Sequence, residues 1–166
     1  MDIVAHLLWT YIVFYGILRY SVMVGILPDV FSWGIYLAYA LFTQVGFGRP
    51  DLAALPGWVF TLYGITHSLL IFSGVFIIVW LIVKKLPIYL LPWLLHIIID
   101  IPSHSKSFLP TPFLWPLSDW KFPGISWGNP WFMGINYTLI IICLFLTLKY
   151  KKNVFGMLKE KLTNRN

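Results

Sequence analysis

Charge is scarce in this chain. Only 11% of its 166 residues are Asp, Glu, Lys or Arg, where a soluble domain carries roughly 25%. That scarcity excludes an ordinary water-soluble globule. Cys143 is the one cysteine and lies within an apolar run. It excludes an internal disulfide and says little about redox compartment. Glutamate occurs only in the C-terminal tail, at Glu160, so carboxylate chemistry elsewhere falls to aspartates. There is no G-x-S-x-G elbow, no H-E-x-x-H and no phosphate-cradling glycine loop, which removes the common nucleophile, metalloprotease and nucleotide signatures. No tandem repeat and no low-complexity linker is visible. Asp2 stands where a signal peptide has a basic start, and no small-residue cleavage site follows, so the first helix is expected to direct insertion.

What is present is apolar surface. Hydrophobic residues make up 59% and aromatic residues 19%, in runs long enough for the roughly 20 residues that cross a bilayer. The expected fold class is an all-α membrane protein with about five transmembrane helices. Residues 1–148 form the integral membrane domain and 149–166 a basic cytoplasmic tail. The net charge of +6 is no nucleic-acid signature, because six of the twelve Lys and Arg residues lie between Lys149 and Arg165. That is the positive-inside pattern. The tail either only fixes topology or also lies on anionic headgroups.

The first apolar stretch, from Ile3 to about Phe47, is interrupted by Arg19 and by Pro28-Asp29. One reading is a single helix up to Leu27. The preferred reading is an N-terminal helical hairpin turning near Gly16 to Ser21, with Arg19 at the cytoplasmic interface. On one straight helix His6 and Asp29 would be about 35 Å apart. With the turn, both reach similar depth. This places the N-terminus outside. Residues Gly46 to Gly57 read as a Gly/Pro-rich loop in which Arg49 and Asp51 are solvated or paired. A long apolar segment from Trp58 to Val83 carries His67 and stops at Lys84-Lys85, a second cytoplasmic marker.

The stretch W-L-L-H-I-I-I-D-I-P-S-H-S, Trp93 to Ser105, sets His96 and Asp100 four residues apart. On a helix that spacing puts both on one face. Pro92 is expected to kink this helix or mark its start, and Pro102 to interrupt it just before His104. Residues 102–130 read as an aromatic-rich outer loop near the interface. A last helix from about Trp131 to Leu148 returns to the tail.

Imidazole and carboxylate groups are costly against lipid, so they need a partner, a metal or a water-filled cavity. All four histidines, His6, His67, His96 and His104, can share the middle or outer part of the membrane with Asp29 and Asp100. Neutral histidine and carboxylate together suit zinc and other divalent metals. Six candidate ligands exceed one tetrahedral ion. They serve one ion plus a general base, or two ions sharing a carboxylate. Asp29 and Asp100 are the candidate catalytic bases. Each residue also has a structural reading. His96–Asp100 can be a plain hydrogen-bonded pair, and His67 can be satisfied by Thr66 and Ser68. His6 and His104 can be interfacial, and Asp29 can cap a helix. Asp119 reads as a loop residue with local bonds.

The ordered motifs A-H-L-L, L-P-D, T-H-S-L-L, L-H-x-x-x-D and F-L-W-P-L-S-D, over roughly residues 4 to 130, resemble the LexA-regulated, membrane-bound metal-dependent hydrolases of bacteria. That family shows G-H-L, L-P-D-x-D, H-R-G-x-T-H-S, S-H-x-x-x-D and L-L-W-P in the same order. The resemblance implies a bacterial inner (plasma) membrane location and His6, Asp29, His67, His96 and Asp100 as metal ligands. A looser likeness to zinc-dependent phospholipases C points toward phosphoesters. The chain departs from the pattern at Phe31, where a second acid is expected, and at Leu62-Tyr63, where the family has His-Arg; His104 is an addition.

The leading expectation is a membrane-embedded metal-dependent hydrolase acting on an amphiphilic substrate, a lipid or lipid-linked phosphoester. Its partners are membrane lipids and not nucleic acid. The alternative is a non-enzymatic membrane protein whose His/Asp site is structural or ion-binding. A small transporter or accessory subunit is a third, disfavoured by the lack of an inverted repeat.

Overall fold

A computed structural model describes residues 1–43, 51–153 and Gly156. Arg49, residues 46–50 of the Gly46–Gly57 loop and nearly all of the tail beyond 153 lie outside the described residues. Every regular element among the described residues is helical. α1 spans Ile3–Phe14, α2 Ser21–Asp29 and α3 Ile35–Thr43; α4 spans Gly57–His67 and α5 Leu69–Val83; α6 spans Leu91–Ser103 and α7 Pro130–Tyr150.

α1 begins at Asp2, whose carboxylate accepts from the Ala5 amide at 2.9 Å and from the Tyr137 hydroxyl at 2.8 Å. One side chain thus caps α1 and ties it to α7. The Trp9 indole donates to Asn136 Oδ1 at 2.9 Å, and Met1, Ala5, Ile12 and Ile140 bury an apolar seam between the same two helices. The chain then reverses between Phe14 and Ser21, as the hairpin reading expects. α1 and α2 cross closely at Gly25, where a Cβ would come within 2.4 Å of Thr10 Oγ1.

Pro28-Asp29 does not interrupt the second helix. α2 continues through a π-helical turn at Val30–Gly34 into α3, giving 23 unbroken residues from Ser21 to Thr43. Asp29 is therefore not a cap. Pro28 lacks an N–H, so the regular ladder fails locally, and the wider turn absorbs the defect. Ser32 Oγ donates to the Pro28 carbonyl at 2.7 Å.

The segment expected as one span from Trp58 to Val83 bends by 54° at Ser68. Backbone freed at such a break must be satisfied within the protein. Ser68 Oγ accepts from the Leu70 and Ile71 amides at 3.1 and 3.2 Å and donates to the Trp115 carbonyl at 2.6 Å. The Leu69 amide donates to the Phe113 carbonyl at 2.9 Å, and the Trp93 indole to the Thr66 carbonyl at 2.6 Å. The aromatic loop after α6 thus folds back onto this break.

Pro92 sits in the first turn of α6, where a missing N–H costs nothing. Pro102 lies in the last turn; α6 ends at Ser103 and His104 follows just beyond it, as the sequence leads one to expect. The Pro102 and Ser103 carbonyls accept from the Ile125 and Trp127 amides, each at 2.9 Å. Gly124 permits that approach, since a Cβ there would meet the Pro102 and His104 carbonyls at 2.5 Å.

Two helical segments, Ser21–Thr43 and Pro130–Tyr150, are long and apolar enough to cross a membrane, and the bent pair Gly57–His67 with Leu69–Val83 makes a third if it counts as one span. Among the described residues, two or three of the five spans expected from hydropathy are found. α1 has 12 residues, about 18 Å of helix against a hydrocarbon core of about 30 Å. Ile78, Ile82, Ile141 and Phe145 on α5 and α7 are exposed, the outward apolar surface a lipid environment accepts. Polar groups share the innermost positions with Ala5, Ile12 and Ile97. His6, His67, His96 and Asp100 are each at most 1% exposed.

Candidate metal centre

The centre is built on α6. His96 and Asp100 share one helix face, with His96 Nε2 3.2 Å from Asp100 Oδ2. α4 brings His67 to the same point from its last residue, with Nε2 3.4 Å from Asp100 Oδ2 and 3.1 Å from His96 Nε2. Asp29, just before the π-turn, places Oδ1 3.6 Å from His67 Nε2 and 3.7 Å from His96 Nε2. One ligand atom from each of these four residues lies within 4.8 Å of all the others.

The ring orientations are set from behind. His96 Nδ1–H donates to the Gly25 carbonyl at 2.8 Å. His67 Nδ1–H faces the Tyr63 carbonyl at 3.2 Å and Thr66 Oγ1 at 2.8 Å. With the protons on Nδ1, both Nε2 lone pairs point at each other and at two carboxylates. Such an arrangement can accept a proton or a metal ion between the rings, and backbone carbonyls behind imidazole rings are how metal-ligating histidines are held. Ligands about 2.0–2.1 Å from a tetrahedral ion are about 3.3–3.4 Å from one another. The separations of 3.1, 3.2, 3.4, 3.6 and 3.7 Å bracket that edge. Asp29, His67, His96 and Asp100 can therefore hold a metal ion.

His6 and His104 meet the other oxygen of Asp100. His6 Nε2 is 2.8 Å and His104 Nε2 3.4 Å from Oδ1, which also contacts the amino-terminal ammonium. The His6 ring stacks on His96 at 3.8 Å between centroids. All six sequence-level candidates thus converge around one carboxylate. Of the two candidate bases, Asp100 is buried and engaged at both oxygens, whereas Asp29 is 15% exposed. Phe31 lies away from the centre, 53% exposed beside an apolar cavity. Asp119 lines a separate cavity with Lys106 and Lys121. Cys143 packs against the α1–α7 seam.

A cavity of about 400 Å³ reaches the centre at Asp29 and His104 and is walled by Ile3, Val30, Trp33, Leu37 and Trp127 among others. Sequence reasoning did not single out the Gly25 carbonyl behind His96 or the Leu109 carbonyl, which accepts from His104 Nδ1–H at 2.8 Å. A backbone carbonyl carries no residue signature. Comparison with family models, with curated proteins and with solved structures finds no match to this chain.

Proposed function

We propose that this protein is a membrane-embedded metal-dependent hydrolase of the kind its motifs resemble, acting on a lipid or lipid-linked phosphoester. The carrying observation is the pair of Nε2 atoms 3.1 Å apart, both backed by carbonyls and flanked by two carboxylates. His67, His96 and Asp100 offer two nitrogens and one oxygen, a three-ligand set that suits zinc and leaves a position for water. A divalent ion held there supplies Lewis acidity, polarising an ester and acidifying water.

The chain's own residues divide the remaining work. His67, His96 and Asp100 are buried and hold the ion. Asp29 lines the cavity and would take a proton from the attacking water. With a phosphodiester, water would add to the phosphorus as its proton passes to Asp29, the P–O ester bond would break, and the departing alkoxide would take that proton from Asp29, leaving an alcohol and a phosphate monoester. The apolar walls seat the aliphatic part of the substrate and keep bulk water out.

The orientation follows the charge markers, with the N-terminus outside and the C-terminal tail cytoplasmic in a multi-pass inner membrane protein. Its support is that Asn153 Nδ2 donates to the Tyr15 carbonyl at 3.1 Å, which brings the end of α7 beside the turn that carries Arg19. The near-complete burial of three ligands favours a second reading, a structural metal without turnover.

Elemental analysis of detergent-purified protein beside His96→Ala and Asp100→Ala tests the metal. Wild-type protein without stoichiometric metal from metal-replete preparations refutes it. A panel of lipid phosphoesters, assayed with wild type and Asp29→Asn, then separates the readings. Metal without turnover over that panel selects the structural one.

A further inference from the structure

Three charged groups on the loop between α6 and α7 border one space. Lys106, Asp119 and Lys121 line a cavity of about 410 Å³ with Phe60 and Trp115 among its other walls, and the same three line a second cavity of about 380 Å³ with Pro110 and Trp120. No hydrogen bond or ion pair engages either ammonium or the Asp119 carboxylate among the described residues. The hydroxyls on the larger cavity are already committed. Tyr63 donates to the Leu109 carbonyl at 3.2 Å, and Thr61 to the Gly57 carbonyl at 3.5 Å. Two ammoniums against one carboxylate leave the space cationic.

The loop runs directly into α7 at Pro130, and Leu52, Phe60 and Thr61 bring the start of α4 to the same cavity. α7 and the bent α4–α5 pair are candidate membrane spans, so the cavity lies where two of them begin. Leu117, Trp120 and Phe122 beside the lysines are 82%, 55% and 41% exposed, the aromatic and aliphatic surface of a segment resting at a membrane interface. A lysine among such side chains keeps its stem in the apolar layer and its ammonium at the depth of lipid phosphates. Lys149 and Lys151 stand at the other end of α7, about 30 Å along the helix, and basic residues gathered at one end are what orient a span. Lys106 and Lys121 sit at the opposite end, so that function is not theirs.

We propose that Lys106 and Lys121 bind the phosphate of a net-anionic phospholipid, with Asp119 accepting from hydroxyls of its headgroup and Leu117, Trp120 and Phe122 lying beside its chains. Charge complementarity selects this occupant. A phosphate between two ammoniums makes charge-assisted hydrogen bonds with both. A headgroup carrying one negative charge and hydroxyl donors matches the net positive charge of the space and gives the Asp119 carboxylate partners. A choline headgroup brings its own cation to the lysines and offers Asp119 no donor. The site is separate from the metal centre and does not depend on it.

The test is titration of the full chain, delipidated in detergent, with phosphatidylglycerol, phosphatidylethanolamine and phosphatidylcholine of matched chains, bound lipid being counted by native mass spectrometry. Wild type is expected to hold phosphatidylglycerol about tenfold or more tightly than the other two. Lys106→Gln/Lys121→Gln is expected to weaken that binding about 10–30-fold. Lys84→Gln/Lys85→Gln, which removes the same charge elsewhere, should leave it unchanged. Wild type that binds the three lipids equally overturns the proposal, as does Lys106→Gln/Lys121→Gln protein that binds phosphatidylglycerol like wild type. Displacement of the lipid by millimolar inorganic phosphate marks a free-phosphate site and overturns the lipid as occupant. The wild-type ranking needs no variant, so a variant that misfolds does not rescue the idea. Metal content, read in the same samples, should not change with the lysines, so failure here and failure of the metal reading are seen separately.

Discussion

Gly25→Ala should damage the metal centre although Gly25 offers no ligand. An alanine Cβ there would stand 2.4 Å from Thr10 Oγ1, 2.8 Å from Thr10 Cγ2 and 3.0 Å from Thr10 Cβ. Turning the Thr10 side chain gives no relief, because both of its branches crowd the position. α1 is pinned to α7 through Asp2–Tyr137 and Trp9–Asn136, so α2 takes up the displacement. Restoring ordinary contact needs about 1 Å, and overpacking of this kind costs about 1–3 kcal/mol. The Gly25 carbonyl, 2.8 Å from His96 Nδ1, moves with α2. A shift of about 1 Å carries that bond beyond useful hydrogen-bond geometry. Loss of an outer-shell partner typically lowers metal affinity about 10–100-fold. The assay is thermal unfolding in detergent with a parallel zinc titration. In a Thr10→Gly background, which removes all three crowding atoms, the alanine should cost little beyond the glycine's own helix penalty of about 1 kcal/mol. Gly25→Ala protein that melts with wild type and binds zinc equally well would refute the packing argument. A defect undiminished by Thr10→Gly would refute its assigned cause.

Other substitutions read other links. Asp100→Asn keeps the shape but removes the charge shared by four histidines and the ammonium. It should abolish stoichiometric metal, and breaking a buried ionic cluster should cost about 3–5 kcal/mol, read by metal content and by thermal melt. Ser68→Ala removes the cap of α5 and leaves the Trp115 carbonyl without its donor. A loss of about 1–3 kcal/mol is expected, with faster proteolysis in the 104–129 loop as the visible sign; an unchanged digestion pattern counts against the bend being pinned there. Chelation should lower the melting temperature of wild type and leave Asp100→Asn unmoved, because only the wild type keeps all four groups that can hold a metal. Asp29→Asn should lower phosphoester turnover by about 10²–10⁴-fold if Asp29 serves as base, and equal turnover in the two proteins would remove it from that role.

Some of this was set by the amino-acid order alone. Scarce charge and long apolar runs marked a membrane-type helical chain, because transfer free energy sums residue by residue. The His96–Asp100 pairing followed from an i, i+4 spacing that is local to one helix. The reversal near Gly16 to Ser21 was legible from a charge set between apolar runs. The number of full spans was not. Hydropathy registers the apolar stretch from Trp58 to Val83 but not the carbonyls of Phe113 and Trp115, some 45 residues on, that make a bend at Ser68 tolerable. Pro28 misled in the opposite direction, since a π-turn absorbed a defect that the hydrogen-bond ladder alone would treat as an end. Only the tertiary structure decided how the six polar residues divide around Asp100, two rings on each oxygen. That division depends on ring orientation, and ring orientation depends on which carbonyl stands behind each Nδ1. Those carbonyls come from distant backbone, whose position is a consequence of packing and carries no letter in the sequence.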